Sequence, residues 1–65
     1  MTNVELLTHF LALAITAPTY DKAKEASDHA EYIATQYIHK GEFTADTIEL
    51  AKRKAWKLAY EWSSA

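Results

Sequence analysis

Apolar side chains recur at helical spacing in three runs along this chain, and the first run is the most apolar. From Val4 to Ala17 the sequence reads VELLTHFLALAITA. At about 100° per residue, Leu6, Phe10, Leu13 and Ala17 extend the arc already held by Val4, Leu7, Leu11, Ala14 and Ile15. The joined arc is roughly 200° wide, whereas a surface helix needs a stripe of about 100° or a little more. Glu5, Thr8, His9 and Thr16 make one narrow polar seam, in which His9 is expected to be solvated or capping. A single packing partner cannot cover such an arc. This helix must therefore sit between two other helices, against a second copy of the chain, or against a foreign partner, with Leu6, Phe10 and Leu13 as the expected self-association residues.

The punctuation between the runs sets the element boundaries, predicting helices over about 3–17, 20–39 and 45–62. Thr2 and Glu5 form a capping box, with Met1 and Leu6 at hydrophobic-staple positions. Pro18 disfavours helical geometry at Ala17, so the first helix ends there or one residue before. Thr19 is the expected N-cap of the second helix, and Asp21 in its first turn suits the helix dipole. That helix closes at Lys40-Gly41, where glycine tolerates a left-handed conformation. Phe43-Thr44 announces the third helix, with Thr44 as N-cap and Phe43 stapled against Ile48.

Helices two and three each carry a seam at alternating spacings of three and four. In helix two it is Ala23, Ala26, Ala30, Ile33 and Tyr37, rich in alanine, so the large side chains of helix one are expected to fill the space opposite. In helix three it is Ile48, Ala51, Ala55, Leu58 and Trp62, and Glu49 to Arg53 is a correctly ordered i,i+4 ion pair. Short connections force sequential helices to pack antiparallel. The fold class is all-α, a small three-helix up-down-up bundle with short loops, in one domain over residues 1–65.

Composition narrows the function classes. A chain of 65 residues buries only about 60% of its unfolded surface, and scaffolds of that size need disulfides, a metal, oligomerisation or very regular helix packing. The chain contains no cysteine, which excludes the first of these. With no basic region ahead of the apolar run, it reads as an intracellular, cytoplasmic protein. The run is shorter than the roughly 20 residues a membrane-spanning helix needs. Net charge is −2, distributed as three basic and six acidic residues over 1–43 and four basic and three acidic over 44–65.

Candidate chemistry is sparse. Of His9, His29 and His39, only His29 has a partner at i−4, Glu25, that would complete two ligands of a metal site. There is no HExxH and no second such pair, so a helix-surface charge pair is the simpler reading, and no metal or cofactor is expected. Ser27 neighbours Asp28 and His29 in sequence, but consecutive helical residues point in different directions, and one glycine cannot make a phosphate loop. An enzyme is not expected. Neither a tetratricopeptide repeat nor a DNA-binding helix-turn-helix fits the spacing of this hairpin.

The surfaces say more. Trp56 and Tyr60 lie four apart on helix three beside Lys52 and Arg53, a composition typical of protein–protein hot spots. The competing reading puts both aromatics over helix one as the edge of the core. On helix two, Tyr32 stands among Glu25, Asp28, His29, Gln36 and His39, an acidic face that suits a basic protein. The expected activity is binding of another protein, as a small adaptor, regulator or inhibitor of the kind phages encode, with homo-oligomerisation through helix one. The alternatives are a nucleic-acid-binding regulator using Lys52, Arg53, Lys54 and Lys57, and a purely structural assembly subunit.

Overall fold

Three threonines open the three helices of the computed structural model, which describes residues 2–64. The helices are α1 (Asn3–Thr16), α2 (Tyr20–His39) and α3 (Ala45–Ser64). The Thr2 hydroxyl oxygen accepts from the Glu5 amide at 3.1 Å, Thr19 from Lys22 at 3.2 Å and Thr44 from Thr47 at 3.3 Å. Each thereby satisfies a first-turn N–H that has no partner within the helix. The staple position at Met1 lies outside the described residues. α1 stops at Thr16, with Ala17 extended at φ −62° and ψ 139°, as the ring of Pro18 requires. α3 continues two residues beyond the expected Trp62.

The α2–α3 turn is a Schellman motif. Gly41 sits at φ +76°, and the Gly41 and Glu42 amides donate to the carbonyls of Ile38 (3.0 Å) and Tyr37 (2.9 Å). The motif reverses the chain within four residues and turns Phe43 inward. Phe43 is buried beside Tyr37, their ring centroids 5.1 Å apart.

The bundle is organised around α1. It packs against both α2 and α3, whereas α2 and α3 hardly touch one another. Of the three ways to cover the wide apolar arc, the two other helices take most of it. At the turn end, Leu7 of α1, Ala30 of α2, Ala51 of α3 and Phe43 form one core cluster, with Ile33, Tyr37 and Ile48 packed against it. The expected large-into-small packing is present as Leu7 against the alanine seams. The same turn end is tied by a long contact from Asn3 Nδ2, donating to Glu42 Oε2 at 3.4 Å. In this up-down-up arrangement the molecule measures 35 × 22 × 19 Å, its long dimension set by two 20-residue helices of about 30 Å each.

The interior is unusually thin. Among the described residues, five of the seven buried apolar ones are alanines, namely Ala12, Ala30, Ala51, Ala55 and Ala59, leaving Leu7 and Phe43 as the large ones. Ala51, Ala55 and Ala59 recur every fourth residue, so α1 approaches α3 closely along a strip of methyl groups. That closeness buries part of the polar seam. Thr8 is only 8% exposed and its hydroxyl makes no hydrogen bond. His9, expected to be solvated or capping, is half-buried with its ring 5.6 Å edge-on to Trp62. The seam was narrow enough for α3 to lie over it.

Among the described residues, two exposed ion pairs lie on the outer faces, Lys24–Asp28 at 3.2 Å and Lys52–Glu49 at 3.6 Å. Glu49 thus pairs with Lys52 rather than with Arg53 as the spacing suggested. Both lie within reach on a helix surface, and such pairs differ by only a few tenths of a kcal/mol.

Candidate functional site

Because α2 and α3 meet α1 but hardly each other, a groove runs between them. Its floor is Leu11, Ala14 and Ile15 of α1, one wall carries Tyr20 and Ala23 of α2, and the other carries Ala55 and Trp56 of α3. Its volume is about 530 Å³. Small residues line it low down and large aromatics stand at its lips: Tyr20 is 78% exposed and Trp56 65% exposed. Lys24, Ser27 and Lys52 complete the rim.

Trp56 and Tyr60 do not close the core over α1, and Tyr60, one turn beyond Trp56, is 75% exposed. Lys52 and Trp56 share the groove, and Arg53 is exposed on the outer side of α3. The aromatic-basic flank expected from spacing therefore exists as a surface. Tyr32 is exposed as well, but on α2 it is turned about 120° from Tyr20 at 100° per residue. It is absent from the groove lining, and the aromatic that α2 brings opposite Trp56 is Tyr20. A periodicity signal for this existed, since Tyr20, Ala23, Lys24 and Ser27 fall on one helical edge. Nothing in the linear sequence says that this edge faces α3.

The remaining expected sites scatter. Leu6 and Phe10 are half-buried, and Leu13 is 38% exposed. Phe10 is stacked on His29 of α2 with centroids 5.4 Å apart, and a second cleft, lined by Leu13, Pro18, Glu25 and His29, runs beside it. Among the described residues, no group of three His, Cys, Asp or Glu side chains is placed to hold a metal ion. Of the four basic residues, Lys52 borders the α2–α3 groove while Lys54 borders the cleft of Val4, Thr8 and Leu58 between α1 and α3. They leave the helix in different directions. Among the described residues no helix is long and apolar enough to cross a membrane.

No family model, curated protein or solved structure matches this chain.

Proposed function

We propose that this protein acts by binding another protein chain through the groove between α2 and α3 and the adjoining face of α3. Trp56, Tyr60 and Tyr20 anchor the partner, and Lys52 and Arg53 supply hydrogen bonds at the edge. One observation carries the reading: five of the eight aromatic side chains, Tyr20, Tyr32, Trp56, Tyr60 and Trp62, are exposed while the interior is filled largely by alanine. Aromatic residues bury about 150–250 Å² each and dominate core and interface energetics alike. A small chain that keeps them out of a thin core has them available for an interface, where Trp, Tyr and Arg are the enriched anchors. The role follows as adaptor, regulator or inhibitor, with no catalysis of its own. The nucleic-acid reading draws less support, because Lys52 and Lys54 border different clefts and no single basic face results.

The test places a photo-crosslinking amino acid at position 60 of the full chain and compares otherwise native protein with Trp56→Ala in its host cell. The reading expects a discrete protein adduct that disappears with Trp56→Ala while circular dichroism stays helical. Cross-links to nucleic acid alone, or none above background, would refute it.

A further inference from the structure

We infer that the partner bound at α3 is an acidic amphipathic segment of a foreign protein, seated with its apolar edge against Trp56 and Tyr60 and its carboxylates on Arg53 and Lys57. This rests on the protein-binding reading above and names the partner's chemistry.

The charge of the chain is polarised. Residues 50–60 hold four basic side chains and no acidic one, whereas the remainder holds three basic and nine acidic ones. The structure sorts those four cations. Lys52 is paired with Glu49 at 3.6 Å and borders the α2–α3 groove, while Lys54 borders the cleft between α1 and α3. Arg53 and Lys57 are exposed, and among the described residues neither forms an ion pair, not even Lys57 with Glu61 one turn beyond it.

Spacing joins these two cations to the aromatics. Arg53, Trp56, Lys57 and Tyr60 fall at i, i+3, i+4 and i+7, within an arc of about 100°. The arc lies on the side of α3 opposite the buried Ala51, Ala55 and Ala59. Trp56 and Tyr60 hold one edge of it, Arg53 and Lys57 the other. A segment laid along the arc meets both edges at once, as amphipathic segments do when they dock on apolar grooves, and Trp56 leads its apolar side towards the α2–α3 groove. The Arg53 fork takes a carboxylate bidentately, and Lys57 adds a point charge.

The footprint decides among occupants. Two unpaired cations match one or two carboxylates. A nucleic-acid strand draws its affinity from a longer row of phosphate contacts, and along α3 such a row would meet Asp46 and Glu49 at one end and Glu61 at the other. A second copy laid face to face would set Arg53 and Lys57 against their own like charges, which disfavours that pairing.

The test pans a display library of short random peptides against the immobilised full chain, native and with Arg53→Glu and Lys57→Glu together. The best peptide is then titrated by fluorescence anisotropy, beside a single-stranded oligothymidylate, with circular dichroism on every variant. Peptides retained by native chain are expected to carry Asp or Glu next to Leu, Phe or Trp, and those retained by the charge-reversed chain to carry Lys or Arg instead. Arg53→Gln with Lys57→Gln should weaken the best peptide about 10-fold. The native affinity should fall between about 20 and 200 mM sodium chloride, as screening shortens from about 20 to about 7 Å, and the affinity of the Gln pair should not. Trp56→Ala should cost on the order of 30-fold, with Tyr60→Ala as the second anchor variant should the first lose helicity. Anchor-dependent peptides with no acidic bias, unchanged by charge reversal, would overturn the acidic partner and leave the protein-binding reading standing. No anchor-dependent peptide at all would overturn both. Oligothymidylate bound more tightly than the best peptide would overturn both in favour of nucleic acid.

Discussion

Thr8 offers the sharpest test of the packing between α1 and α3. Thr8 is only 8% exposed, and its hydroxyl has no hydrogen-bond partner within the protein. A buried polar group left unpaired costs about 1–3 kcal/mol, and Thr8→Val replaces that hydroxyl by a methyl of similar size, with a further gain of up to about 0.8 kcal/mol for the apolar group. Valine and threonine have similar helix propensity, so the backbone is not perturbed. The expected result is stabilisation by about 1–2 kcal/mol, which for a domain of this length raises the melting temperature by roughly 4–16 °C. In urea, with a slope of about 1 kcal/mol per M, the midpoint should move up by about 1 M or more. Thr16→Val is the control, because the Thr16 hydroxyl donates to the Ala12 carbonyl at 2.9 Å. There the same exchange deletes a bond, and the midpoint should stay or fall. Protein concentration must be held equal, since association alone shifts apparent stability. A Thr8→Val midpoint equal to or below the native one would refute the reasoning and place a hydrogen-bonding partner at that hydroxyl.

The remaining predictions concern the turn and the alanine strip. Gly41→Ala has nothing within 4 Å of the added methyl, so its cost is conformational alone, about 1–2 kcal/mol for the positive φ, read as a lowered urea midpoint with an unchanged slope. Ala55→Leu enlarges a fully buried position of α3 and should cost about 1–3 kcal/mol through overpacking. Ala45→Leu, on the exposed first turn of α3, should change thermal stability by no more than about 0.5 kcal/mol.

The helix boundaries were legible because each is written in local chemistry. A threonine cap, a proline stop and a glycine turn act over three or four residues, and the structure places all three helices within two residues of those signals. The alanine seams were legible as periodicity, and so was the width of the α1 arc. The partner of Glu49 was not, because Lys52 and Arg53 are equally reachable and nearly equal in energy. The setting of His9 was not legible for a different reason: its neighbour Trp62 lies 53 residues away, and no local pattern reports that contact.

By itself the sequence determined three amphipathic helices, their caps, their order, and a first helix with more apolar surface than one partner can hide. Only the tertiary structure decided how that surface is divided. α3 lies over the polar seam of α1, burying Thr8 and half-burying His9, while α2 and α3 hardly touch, so that a groove opens between them. Whether Trp56 and Tyr60 close the core or face outward depended on that separation. Likewise, Tyr20 rather than Tyr32 stands opposite Trp56. Local periodicity fixes which residues share a helix edge; the relative rotation of two helices, set by side-chain volumes at their contact with a third, determines what each edge faces.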